Sequence, residues 1–193
     1  MDINLPARYS STKALEVTAP DGIVGIQPFL LMLWSNPSDG ENLIIADMSA
    51  DTIYQLTPEK RLIPLITRTP SVHDSEPRIV LTPQLKTEKF IVLYKTTLDF
   101  EMAQNKGTYP IEALICDFTT HQINQPDFIN SDFTSQSVEF SETILPQNTG
   151  LYAINAIALI TANERDRLSG KLKEIASVLK EDDNPVLVYV KFR

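Results

Sequence analysis

The chain has 193 residues, with 17 Lys and Arg against 25 Asp and Glu, 42% hydrophobic residues, 13 Pro, 6 Gly and one Cys. That length and apolar content suit a single domain with a real core and exclude wholesale disorder. One cysteine excludes an intrachain disulfide framework and a multi-cysteine zinc site, and a formal charge of −8 argues against nucleic acid, which is held mainly by clustered Lys and Arg.

Residues 1–12 read as a leading arm with no basic segment followed by an apolar core, so no secretory leader is expected. Together with the single thiol, this sets the expectation of a cytoplasmic protein. Ala14–Thr18 reads as a short strand. The most apolar run, Gly22–Trp34, is too short to cross a hydrocarbon layer of about 30 Å as a helix, and Pro28 interrupts it. It reads as a buried strand, and no membrane association is expected.

From Ile23 to Arg68 the pattern is a β-meander. A strand ending near Ser35 meets the turn Asn36-Pro37-Ser38-Asp39-Gly40; Leu43–Asp47, Thr52–Leu56 and Arg61–Thr67 follow as strands. Thr57-Pro58-Glu59-Lys60 places Pro at the second position of a type I turn. Pro70–Pro77 is a loop, Arg78–Thr82 and Lys89–Lys95 are strands, and Thr96–Lys106 is ambiguous. Another strand centres on Ala113–Phe118. Residues 122–149, rich in Asn, Gln, Ser, Thr, Asp and Phe, read as a long polar loop with short elements.

At the C-terminus Thr161-Ala162-Asn163-Glu164 fits a capping box. Leu168, Leu172, Ile175, Ala176 and Leu179 then paint one face of a helix that Asn184-Pro185 ends. Val186–Val190 is apolar at every position, as expected of a strand covered on both faces. If Leu151–Ile160 is also a strand, the tail is strand–helix–strand with a right-handed crossover; alternatively that segment lengthens the helix. The expected fold is α+β, a single domain of residues 1–193: a mostly antiparallel sheet or small sandwich over 13–121, an acidic polar loop over 122–149, and a strand–helix–strand over 150–193 with a C-terminal amphipathic helix and a buried last strand.

Two sequence likenesses accompany this pattern. Ile45-Ala46-Asp47-Met48-Ser49 with Ile53 and Gln55 lines up with Ile115-Cys116-Asp117-Phe118-Thr119 with Ile123 and Gln125. Either a β-unit is duplicated, or two strand–turn–strand segments draw on the same turn chemistry, and the second is favoured. The stretch Leu43–Pro58, LIIADMSADTIYQLTP, resembles one blade of an NHL or lactonase-like β-propeller. Further blades are not found in the sequence, and the resemblance implies no activity here.

Candidate chemistry is sparse. Cys116 and His121 could form a nucleophile–base pair only if a turn after Phe118 brought them together, since positions five apart on one strand face opposite sides. His73, Asp74 and Glu76, with Ser75 between them, place an imidazole and two carboxylates on one loop that could hold a divalent ion. No phosphate-binding, dinucleotide, zincin or nucleophile-elbow motif is present, so no cofactor is expected.

The most unusual feature is one of charge. Between Gly107 and Asn163 there is no Lys or Arg, while six acids occur: Glu112, Asp117, Asp127, Asp132, Glu139 and Glu142. Within that stretch Asp127-Phe128 and Asp132-Phe133 repeat an acid–aromatic pair. Such a surface suits a non-catalytic accessory protein that docks a protein partner, with Asp127, Phe128, Asp132 and Phe133 in contact; a homo-oligomer is compatible with it. The alternatives are a small metal-dependent hydrolase using His73, Asp74 and Glu76, or a small-molecule binder with an apolar pocket lined from 23–34 and 151–160.

Overall fold

The computed structural model describes residues 14–18, 24–28, 33–37, 42–47, 50–140 and 148–192. It is built mostly from antiparallel sheets with a few short helices. The leading arm 1–12 lies outside the described residues, as does the burial of the 22–34 run.

Strand β1 (Ala14–Thr18) pairs with β2 (Val24–Pro28) as a hairpin. The apolar run is not one strand: β2 ends at Pro28, which has no N–H to continue a ladder, and β3 (Leu33–Pro37) starts afresh. The turn foreseen at Asn36 also shifts, because β3 runs through Pro37, which pairs with Leu43. Then β4 (Leu43–Asp47), β5 (Thr52–Leu56) and β6 (Leu62–Thr67) complete a four-stranded meander in chain order. The Thr57–Lys60 turn forms as expected. Lys60 N–H donates to the Thr57 carbonyl at 2.9 Å, and Lys60 takes the left-handed φ of 62°.

A second four-stranded meander follows: β7 (Arg78–Lys86), β8 (Phe90–Leu98), β9 (Ile111–Asp117) and the short β10 (Ile123–Asn124). The two internal strand prolines, Pro64 in β6 and Pro83 in β7, both lie on edge strands beside irregularities in register, where a missing donor costs little. The ambiguous 96–106 segment divides between the end of β8 and helix α1 (Phe100–Lys106). Asp99 Oδ1 accepts the Met102 N–H at 2.9 Å to start that helix, and Gly107 at φ 75° ends it.

The meanders pack face to face, with β7 beside β3 and β4. Ile44, Ala46 and Ile53 of the first meet Ile91, Leu93 and Cys116 of the second in one core. Each fully buried Ile or Leu there contributes about 1.5–3 kcal/mol. The Phe90-Ile91-Val92-Leu93-Tyr94 run of β8 is a wall between two cores. Ile91 and Leu93 face the first meander; on the other side Phe90 stacks edge-on against Phe192, and the Tyr94 hydroxyl accepts the Phe140 N–H at 2.9 Å.

The second core is aromatic and C-terminal. It joins the small sheet of β11 (Ile129–Asn130) and β12 (Phe133–Ser137) to β13 (Thr149–Ile154), helices α2 (Ala156–Glu164) and α3 (Gly170–Ala176), and β14 (Val186–Lys191). Phe140 stands at its centre, edge-on to Phe128, Tyr152 and Phe192 with ring centroids 5.1, 6.2 and 5.8 Å away.

Here the structure corrects several expectations. The capping box does not form: Thr161 lies inside α2, whose N-cap is Asn155, its side-chain carbonyl accepting from Ile157 N–H at 2.9 Å. The single amphipathic helix is two short helices, broken where Asp166 turns to φ 52° and Gly170 to φ 50°. The foreseen apolar positions Leu168, Leu172 and Ala176 still enter the core. Leu151–Ile160 is strand to Ile154 and helix from Ala156, so each alternative holds for half of it. With the chain turning once more between two helices, β14 returns antiparallel to β13, which removes the right-handed parallel crossover. Nor is β14 covered on both faces. Among the described residues it pairs with β13 alone, and Leu187 and Tyr189 are 66% and 54% exposed.

The hairpins carrying the internal sequence echo do share a register: Ile45 pairs with Tyr54 as Ile115 pairs with Asn124. They occupy different places, the second and third strands of one meander against the third and fourth of the other.

Candidate functional site

Three of the four acid–aromatic residues expected in a docking surface are engaged within the fold. Phe133 is buried, and Phe128 packs against the aromatic core. Asp132 is engaged in the fold. Its Oδ2 accepts the N–H groups of Lys171 (2.8 Å) and Leu172 (3.3 Å), and its carbonyl accepts Ser169 N–H at 2.9 Å. A residue from the β11–β12 turn therefore supplies the N-terminal cap of α3, where Ser169 makes no side-chain cap of its own. A Cβ on Gly170 would lie 2.4 Å from the Asp132 carboxylate, so a side chain there would push the carboxylate aside besides taking a strained φ of 50°. The clasp continues inward: Asn130 Oδ1 accepts Asp132 N–H at 2.8 Å, and Asn130 Nδ2 donates to the Tyr152 hydroxyl at 2.6 Å. Of the four residues, Asp127 alone is exposed.

The His73 loop is likewise built into the scaffold. Val72 is buried and anchors it, and Val72 N–H donates to Asp51 Oδ1 at 2.7 Å. Arg68 donates to the carbonyls of Pro70 and Ile79 and to the Ser75 hydroxyl. Burial lowers its guanidinium pKa somewhat, and Asp51 opposes that shift. The Asp74 and Ser75 N–H groups both donate to the Ser71 carbonyl, a tight coil that points successive side chains apart. His73, Asp74 and Glu76 are exposed, and the described residues contain no group of three or more His, Cys, Asp or Glu placed to hold a metal ion.

Cys116 sits in β9 opposite Ile91 and Ile123, and burial pushes its thiol pKa up, away from a nucleophilic thiolate. His121 is exposed at the far end of the turn, at φ 56°. The Asp117 carboxylate is held below its usual range by the N–H groups of Thr120 and Thr119, with a small contribution from His121, and so serves the turn. Of the pocket expected from 23–34 and 151–160, the first part contributes β2 and the start of β3, whose side chains lie outside the description, while Tyr152 and Ile154 of the second part are core.

What the fold does open is a cleft of about 420 Å³ between β9 and the β11–β12 sheet. Its floor and one wall are Tyr94, Ile111, Glu112 and Ala113; the other wall runs from Gln125 to Ile129 and along β12 to Glu139. Pro126 explains the opening. It has no N–H to extend the β10 ladder and steers Gln125 away from further pairing, so the chain peels off β9 after Asn124. Asp127 and Glu139 are exposed on this cleft, Glu112 pairs with Lys95 at 2.9 Å, and no Lys or Arg lines it. Tyr94, Glu112, Ala113 and Glu139 carry no motif; only the absence of Lys and Arg between 107 and 163 marked the region.

No family model matches the chain, and no curated protein does. The fold is similar to the solved structure of a Bacteroides fragilis NCTC 9343 protein provisionally described as exported, with a TM-score of 0.55 at 12% identity. The match covers 92% of this chain and 57% of that one. At this identity the likeness is one of fold. That neighbour overturns the cytoplasmic expectation drawn from the N-terminal residues and the single thiol. A lone buried cysteine cannot form an intrachain disulfide and is equally suited to an oxidising compartment. Among the described residues no helix is long and apolar enough to cross a membrane.

Proposed function

We propose that the chain is a non-catalytic binding module that works outside the cytoplasm, a stack of blade-like β-meanders presenting the β9–β12 cleft to a macromolecular partner. The cleft carries this reading. It is the place where a sheet edge, exposed carboxylates and a wall anchored in the aromatic core converge, while the residues with nucleophilic or metal-ligating potential are exposed singly or engaged in the scaffold. Two four-stranded meanders packed face to face, the second strand group beginning beside the first, match how β-propellers set blade against blade. The Leu43–Pro58 resemblance falls on β4 and β5 of the first such sheet. Such scaffolds are rigid, and rigid walls suit recognition. The provisional description of the Bacteroides fragilis protein supports the exported setting.

A displayed random-peptide library panned on the protein, and on a Ser137→Trp variant that fills the cleft from β12, tests this. Ligands enriched on the protein and lost on a variant of unchanged melting temperature support the reading. Equal recovery from both proteins, or none from either, refutes it.

A further inference from the structure

We propose that the occupant of the cleft is an extended, basic peptide segment that adds as a strand to the free edge of β9. This rests on the reading of the cleft as a binding site and goes beyond it in naming the partner's chemistry and backbone form.

The edge follows from hydrogen-bond parity. Asp117 N–H donates to the Gln122 carbonyl at 3.0 Å, on the β10 side of the strand, while Phe118 N–H donates to the Lys89 carbonyl at 2.8 Å, on the β8 side. Main-chain groups alternate sides with a period of two, so those of Ile115, Ala113 and Ile111 point the same way as those of Asp117. Strand β10 covers only Ile115 and Cys116. Beyond it the N–H and C=O groups of Ala113 and Ile111 point away from β8, which pairs with these residues on its own side, and among the described residues no strand pairs with them on the cleft side. Proteins usually blunt such an edge, because it templates pairing with another chain. Here Pro126 diverts the chain that would otherwise continue from β10 along it.

The charge follows from the walls. Asp127 and Glu139 are exposed and make no hydrogen bond or ion pair among the described residues, and the cleft is lined by no cation that would neutralise them. An added strand along Ile111–Ala113 spans about 10 Å, three residues, which sets a short recognition segment. Backbone pairing would supply affinity, and the two carboxylates would select basic side chains against acidic ones. Ile111, 58% exposed and lining the cleft, offers an apolar contact.

The probe is the hexapeptide Lys-Val-Lys-Val-Lys-Val, titrated by fluorescence anisotropy, with amide shifts of Ile111 and Ala113 followed by NMR. Three comparisons decide. The Glu-Val counterpart should not bind; methylating alternate backbone nitrogens of the basic peptide should weaken it about tenfold or more; and Asp127→Lys with Glu139→Lys should weaken it about as much. Binding that survives N-methylation, or leaves the Ile111 and Ala113 amides unmoved, overturns strand addition. If the basic probe does not bind while library ligands of other composition still depend on an unfilled cleft, this proposal fails and the binding-module reading stands. If no ligand of any kind depends on the cleft, both fail.

Discussion

The Asp132–Gly170 clasp makes a quantitative demand. Replacing Asp132 by Ala leaves the Lys171 and Leu172 N–H groups without the carboxylate that now accepts them at 2.8 and 3.3 Å. Loss of a helix cap of this kind costs about 1 kcal/mol, within a range of about 0.5–2. Gly170→Ala should cost more, because it adds about 1–2 kcal/mol for an L side chain at φ 50° and also pushes the carboxylate out of its place, at 2.4 Å from the new Cβ. About 2–3 kcal/mol in total follows. Once Asp132 is already Ala, the same Gly170→Ala change should cost only the backbone strain. Urea denaturation of the protein, both single variants and the double variant closes this cycle. The expected coupling is about 1 kcal/mol, with the double variant more stable than the sum of the singles implies. Hydrogen exchange at Lys171 and Leu172 should accelerate in both single variants. Strict additivity, within about 0.3 kcal/mol, would show that the carboxylate does not sit against Gly170.

The loop over Ser71–Pro77 should depend on Asp51 and not on His73. Asp51→Ala leaves the buried Val72 N–H without its acceptor and should cost about 1–3 kcal/mol by thermal melting, while His73→Ala should stay within about 0.5 kcal/mol of the parent; equal effects would refute the assignment. Cys116 should react with a thiol reagent at pH 8 far more slowly than free cysteine, because burial both shields it and raises its pKa, and at the free-cysteine rate in urea. Prompt labelling of the folded protein would place the thiol at the surface.

Much of the sheet architecture was legible because its turns announce themselves. Pro58 and Lys60 close one hairpin, and β1, β4 and β5 begin and end where alternation and turn chemistry set them. The second meander was only partly legible. Its first strand, β7, runs through a proline and a register shift, and β10 is two residues long. Identical patterns also had different outcomes. Phe90–Tyr94 and Val186–Val190 are both continuous apolar runs; the first lies between two cores, while the second keeps one face bare. Periodicity reports that a residue is apolar, not whether a neighbour arrives to cover it. The capping box failed for a related reason. Asn155 starts the helix earlier, and the cap that starts α3 comes from Asp132, far away in the sequence and invisible to any local rule. For the same reason the acid–aromatic pairs looked like a surface. Asp132 and both rings are engaged inside the fold through contacts that only folding creates, while Asp127 stays exposed, and the cleft is formed by a strand edge that leaves no mark on side-chain composition.

The double duty of β8 has a thermodynamic consequence. A strand that is one core's ceiling and the other's floor cannot leave either without exposing both, and the Tyr94–Phe140 hydrogen bond crosses that boundary. The meander stack and the aromatic C-terminal region thus lose their enclosure in the same event. Calorimetry should therefore show one cooperative transition, not a stepwise melting of two half-proteins.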